Sequence, residues 1–157
     1  LDGQWKNQDG KTTKLASLKG TVRVVAMVFT SCQYACPLIT ADMQRIEGAL
    51  SEKVRAQVKF NLFSFDPQRD KPAALKSYAA KHHLASPRWE LFTSGDGAVR
   101  DLAAVLGVKF KKVEGGDFTH SNVISVIDQD GLIKYQQVGL NVDPAELTKI
   151  VTGLVAH

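Results

Sequence analysis

Two cysteines occur in this chain, Cys32 and Cys36, four positions apart in Thr30-Ser31-Cys32-Gln33-Tyr34-Ala35-Cys36-Pro37. Thiolates are nucleophiles, redox groups and soft metal ligands. A bridge across so short a loop removes little chain entropy, so a purely structural staple is an inefficient use of the pair. In helical conformation an i, i+4 pair projects both sulfurs to one side, where they can share a metal ion. They can also close a disulfide if their Cα atoms lie within ~7 Å. Spacing alone leaves metal binding and redox work both open.

Two thiolates rarely complete a metal site, so a third ligand is expected from elsewhere. Four histidines are available. His157 is terminal, and His82 and His83 are expected as an exposed pair at the end of an amphipathic helix, near its C-terminal dipole. His120 differs: it follows an irregular stretch containing Gly115-Gly116 and precedes the apolar run Val123 to Ile127. If that run is a strand antiparallel to the one before the cysteines, His120 lies at the same sheet edge. Asp66, at the end of another apolar run, belongs to that edge too, either accepting a hydrogen bond from a ligand or contacting a partner, or serving as ordinary Asp-Pro turn chemistry.

The elements that must position these residues follow from periodicity. Val22 to Phe29 is apolar and β-branched, as in a strand buried on both faces. The cysteine pair therefore sits between a central strand and the N-terminus of a helix opened by Pro37, where unpaired N–H groups favour thiolate over thiol. Leu38, Met43, Ile46, Ala49 and Leu50 continue that helix to about Lys53. Gln57 to Phe65 is a second strand, and Pro72 opens a helix to about His82. Trp89 to Phe92 is a short strand, and Ser94 caps a helix from Asp96 to Leu106 that Gly107 ends. Val108 to Thr119 is read as irregular. Val123 to Ile127 and Leu132 to Val138 form a hairpin through Asp128-Gln129-Asp130-Gly131, and Pro144 starts a final helix through Leu154. A short N-terminal hairpin, with a turn at Gln8-Asp9-Gly10-Lys11 and the modestly apolar Leu15 to Leu18, is expected to lie against the sheet. This order calls for parallel strands crossed by helices and closed by an antiparallel pair: an α/β, thioredoxin-like mixed sheet flanked by helices. Met27, Met43, Trp5 and Trp89 are assigned to packing.

With 157 residues, 44% of them hydrophobic, the chain is long enough for one substantial core, and we take 1–157 as a single domain. No stretch approaches the ~18 apolar residues of a membrane span. The chain opens at Leu1 without a basic, apolar leader, consistent with the soluble part of a longer anchored or secreted precursor. Twenty Lys+Arg against 16 Asp+Glu leave a net charge of +4, but the basic residues are scattered, without the stripe that nucleic acid requires.

Taken together, Cys32 to Pro37, Asp66-Pro67-Gln68-Arg69-Asp70 and His120 resemble the Sco/SenC family. Its pattern is C-x-x-x-C-P after the first central strand, Asp-Pro-x-Arg-Asp after the second and a distal His before the closing hairpin. The resemblance covers nearly the whole chain. It implies copper, Cu(I)/Cu(II), held by Cys32, Cys36 and His120. It also implies exchange with a copper donor and a cytochrome c oxidase subunit or another recipient, on the periplasmic or intermembrane side and outside any membrane anchor. The chemistry agrees, since thiolates suit Cu(I) and imidazole suits both oxidation states. The chain departs from the family in carrying Gln33-Tyr34-Ala35 where Pro-Asp-x is usual. That removes a local negative charge, and Tyr34 adds an aromatic face for a partner. The competing reading is a thiol–disulfide oxidoreductase using the same pair. Against it, the motif is not C-x-x-C, and Asn122 stands where such enzymes place a cis-proline. A peroxide-reducing enzyme is weaker still, for want of a Pro-x-x-x-Thr-x-x-Cys pattern.

Overall fold

The structure, a computed structural model, describes residues 3–31, 35–85, 87–113 and 118–155. In chain order the elements are β1 (Gln4–Asn7), β2 (Thr12–Lys14), a 3-10 turn (Leu15–Leu18), β3 (Val22–Val28), α1 (Ala35–Ala49) and α2 (Glu52–Arg55). There follow β4 (Val58–Ser64), α3 (Pro72–Lys81), β5 (Trp89–Thr93), α4 (Asp96–Leu106), β6 (Phe110–Lys112), β7 (Phe118–His120), β8 (Val123–Ile127), β9 (Ile133–Val138) and α5 (Ala145–Leu154). No helix among the described residues is long and apolar enough to cross a membrane.

β3 and β4 bury every residue except Arg23 and Lys59, which are half-buried. Such strands need cover on both faces, and parallel pairing through helical crossovers supplies it. The sheet order is β2-β1-β5-β4-β3-β8-β9, with β3, β4 and β5 parallel, and β1 and β8 antiparallel to their neighbours. The thioredoxin-like plan is present. Its core stacks Phe60 on Trp89 at 4.9 Å and Phe63 on Phe92 at 5.1 Å between ring centroids. Trp5, Met27 and Met43 are fully buried, as their assignment to packing requires. The Trp89 indole N–H donates to Glu47 Oε2 at 3.1 Å, which satisfies its polar end inside the core.

Five sequence expectations change. The helix expected through Lys53 breaks at Leu50, because the Ser51 hydroxyl accepts from the Val54 N–H (3.3 Å) and caps a separate α2. Ser94 does not cap α4; Gly95 holds that position, and the Ser94 hydroxyl donates to the Gln4 carbonyl at 2.5 Å, tying β1 to β5. Leu15–Leu18 forms a 3-10 turn rather than hairpin strand. The hairpin ahead of it is built into the main sheet through β1 and β5, not laid upon it. Finally, the segment read as irregular contains the antiparallel β6–β7 pair, a two-stranded sheet of its own. Strands of three residues fall below the length at which alternation is visible.

Register decides what shares an edge. β3 and β4 run in step from Val22 beside Val58 to Val28 beside Ser64, so Thr30 and Asp66 leave the sheet at the same level. β8 runs the other way, with Ile124 beside Ala26, which returns Asn122 and His120 to that edge.

Candidate metal centre

Cys36 lies in the first turn of α1 and is fully buried, while Cys32 and Tyr34 lie outside the described residues. The Cys36 Sγ stands 3.8 Å from His120 Nε2. These two are 84 positions apart in sequence, and the register of β3, α1 and β8 is what joins them. Ligands at about 2.3 Å for sulfur and 2.0 Å for nitrogen span roughly 3.5 to 3.7 Å across a tetrahedral or trigonal centre, close to the observed 3.8 Å, so the pair fits a shared soft metal. Among the described residues no group of three potential metal ligands forms.

The imidazole is oriented before any metal arrives. His120 Nδ1 lies 3.2 Å from the Ser121 carbonyl, an acceptor only, so this contact assigns a proton to Nδ1, and in the neutral imidazole that leaves the Nε2 lone pair toward Cys36. The β6–β7 pair sets this position. Its register places Phe110 beside His120, and reciprocal bonds from the Ser121 N–H to Lys109 O (2.9 Å) and from the Lys109 N–H to Ser121 Oγ (2.8 Å) continue the pairing one step. Phe118 and His120 alternate with exposed Thr119, so both side chains share one face.

That face rests on aromatic rings. The His120 ring is edge-on to Phe29 (5.9 Å) and tilted against Phe65 (5.0 Å), while Phe118 meets both phenylalanines at 5.0 Å. Phe110 stacks on Phe65 at 5.3 Å. The result is an apolar wall that limits water on one side of the imidazole. Phe29 and Phe65 follow β3 and β4, so the residues that end the strands also build the wall.

Asp66 does not reach His120 directly. Its carboxylate accepts from Arg69 Nε at 2.5 Å, and the Arg69 guanidinium lies over the Phe29 ring, 5.8 Å from its centroid. Asp66 thus connects to the site through a cation and a ring. Its carbonyl also accepts from the Asp70 N–H at 2.9 Å, which closes the turn. The turn reading of this residue is realised, and no hydrogen bond from His120 to Asp66 is present among the described residues.

The residue that sequence reasoning passed over is Asp70. Fully buried, its carboxylate accepts from the Thr30 N–H (3.0 Å), the Thr30 hydroxyl and the Ser64 hydroxyl (2.6 Å). The ends of β3 and β4 are thereby pinned together two residues before Cys32. Ser64 Oγ in turn accepts from the Asp66 N–H at 3.0 Å. The signal was on hand, since Asp70 closes the Asp-Pro-x-Arg-Asp segment and Thr30 opens the cysteine motif. A second buried carboxylate, Asp42 of α1, accepts from the Asn141 N–H at 2.9 Å and anchors the helix bearing Cys36 to the loop before α5. His82 also departs from expectation: it is half-buried and packed on the Tyr78 ring at 4.2 Å, and only His83 is exposed.

Comparison with known proteins gives the family of the chain. The SCO1/SenC family model matches residues 4–156. The chain belongs to the SCO1/SenC family. It is 33% identical to the SCO1 protein homolog of Bacillus subtilis over 143 residues, covering 89% of this chain and 74% of that protein. Among solved structures, BsSco, described as a member of the Sco family of cytochrome c oxidase assembly proteins with a disulfide switch, superposes with a TM-score of 0.81. It is 30% identical, with 96% of this chain and 90% of that one covered. Copper-bound ScoI of Bradyrhizobium japonicum superposes with a TM-score of 0.76 at 26% identity, covering 98% and 97% of the two chains.

Proposed function

We propose that this chain is a copper metallochaperone that binds Cu(I)/Cu(II) through Cys32, Cys36 and His120 and delivers it for assembly of the cytochrome c oxidase copper centre. The observation that carries this reading is the 3.8 Å approach of Cys36 Sγ to His120 Nε2, with Nδ1 already committed to the Ser121 carbonyl. Cys32, four residues earlier in the sequence, supplies the second thiolate. Cargo is captured by the reduced pair and the neutral imidazole. Three protein ligands leave an open side, where the thiols of a recipient replace these ligands one at a time. The apolar wall of Phe29, Phe65 and Phe118 guards the opposite side. A disulfide between the cysteines would leave no thiolate to ligate, so the reduced state is the loading state. Copper donor and recipient both meet the chain at this edge, with Tyr34 as an aromatic contact. The compartment is the periplasmic side of a bacterial membrane, with the protein anchored or secreted there, or the intermembrane space in a eukaryote.

The test is anaerobic transfer. Copper-loaded protein is mixed with an apo oxidase copper domain and the metal is followed by its absorption in the recipient. Transfer that fails for Cys36→Ser supports the proposal. Reduction of the recipient's disulfide by the copper-free protein, without metal transfer, would instead support the thiol–disulfide oxidoreductase reading.

A further inference from the structure

At the other end of β3 from the cysteines, a cavity of about 400 Å³ opens between the sheet, α4 and the 3-10 turn. Its floor and walls are apolar: Leu15 and Leu18 on the turn, Val25 and Phe63 on the sheet, Leu102 and Leu106 on α4. Large hydrophobic side chains at its rim face solvent, with Val105 52% and Ile133 36% exposed. The volume falls in the range of small-molecule sites, in which apolar walls bind and a few polar groups orient.

Three ionisable side chains line it, Lys19, Arg23 and Asp128. Asp128 is already compensated. Its Oδ1 accepts from the N–H groups of Asp130 and Leu132, both at 2.9 Å, and Lys134 pairs with it at 3.5 Å. Lys19 has no ion pair among the described residues. Arg23 donates through Nε to the Leu18 carbonyl (3.0 Å) and through Nη1 to Asn61 Oδ1 (2.9 Å). Both acceptors are neutral, and its second terminal nitrogen has no hydrogen-bond partner among the described residues. The nearby Glu90 carboxylate is engaged by the Asn7 side-chain amide at 2.9 Å. Burial lowers the pKa of Arg23, and the field of Glu90 offsets this only in part. A half-buried cation without its own anion thus stands at the polar end of an apolar cavity.

We infer that this cavity is a binding site for an amphipathic monocarboxylate, an acyl or aryl chain of medium length whose carboxylate pairs with Arg23 and Lys19. The Arg23 fork presents its spare N–H groups to the carboxylate. The chain lies along Val25 and Phe63 and emerges past Val105. Nothing in this site depends on copper, since it lies at the opposite end of the sheet from Cys36 and His120.

The experiment is calorimetric titration of the full chain with decanoate, kept below its micelle concentration, beside decanol, with amide NMR shifts to locate the ligand. Decanoate is expected to bind at about 10–100 μM and decanol at least about tenfold more weakly. Shifts should appear at Val25, Leu102 and Ile127 and not at Cys36 or His120. Arg23→Gln should lose at least about tenfold in affinity. Because Arg23 also braces Leu18 and Asn61, the exposed rim variant Val105→Asp provides a second test. Val105 is exposed, so the change adds a charge at the rim without emptying the core, and it should lose a similar factor through repulsion of the carboxylate. Equal binding of decanoate and decanol, binding unchanged by Val105→Asp, or shifts at another surface would overturn the inference. So would dimerisation that Val105→Asp abolishes, with no decanoate bound, since the occupant would then be a second copy.

Discussion

The Asp70 carboxylate is bonded to Thr30 twice, through the backbone N–H at 3.0 Å and through the hydroxyl, while Ser64 donates to it at 2.6 Å. One buried anion therefore fixes the point where the chain leaves β3 for the cysteine motif, and references that point to the end of β4. Asp70→Asn keeps the shape but removes the charge and turns one acceptor oxygen into a donor. Equilibrium urea unfolding should show a loss of about 2–4 kcal/mol. Cu(I) affinity should fall as well, since the Cys32 end of the site loses its anchor. An unchanged affinity in the folded variant would deny Asp70 that positioning role.

The aromatic wall makes a separate prediction. Phe118→Ala removes the ring that packs on Phe29 and Phe65, the two phenylalanines that meet the imidazole. Because Phe118 is only half-buried, the stability loss should sit below the about 3–5 kcal/mol of a fully buried phenylalanine. Bound Cu(I) should become more accessible to a small chelator, seen as faster removal in stopped flow. Removal at the unaltered rate would mean that the wall only packs the β6–β7 pair.

Asp128 ties stability to acid. The Leu132 N–H chiefly, with the Asp130 N–H and Lys134, holds its carboxyl below the usual carboxylate range. A depressed carboxyl contributes stability that is fully present above its unfolded value, about 3.9, and is lost as pH falls through the lower folded value. Stability plotted against pH should therefore fall more steeply below about pH 4 for the unaltered chain than for Asp128→Asn. Parallel curves would contradict this.

His82 acts in a higher window. Burial first, then the charges of Lys81 and His83, lower its pKa from the ordinary 6.5. The unfolded chain thus binds the proton more readily. Stability is full above about 6.5 and declines as pH falls from there through the folded value. His82→Gln should flatten that part of the profile while leaving Cu(I) binding intact. A profile of the same slope in the variant would show that the titration belongs elsewhere.

Long, strongly patterned elements were legible in the sequence. Val22 to Phe29, Gln57 to Phe65 and the helices at Pro72 and Asp96 stand close to where periodicity put them, and they suffice for a thioredoxin-like plan. The approach of His120 to Cys36 was legible as well, because antiparallel pairing of β8 with β3 follows from the plan. The β6–β7 pair was not, since three-residue strands carry no readable alternation and only the Phe110 and Phe118 packing on Phe65 makes them worthwhile. Asp70 was quoted within its motif but not understood. Its partners Thr30 and Ser64 come from two strands, and side-chain bonds across that distance leave no periodic trace.

The most direct measurement of the central claim is an anaerobic Cu(I) titration against a competing chelator, for the unaltered chain, Cys36→Ser and His120→Ala. The unaltered chain should hold one Cu(I) tightly, and each substitution should weaken it at least about a hundredfold, beyond the tenfold to hundredfold that a lost neighbour of a ligand costs. Copper held as tightly by His120→Ala as by the unaltered chain would contradict the assignment of His120, and with it the three-ligand centre.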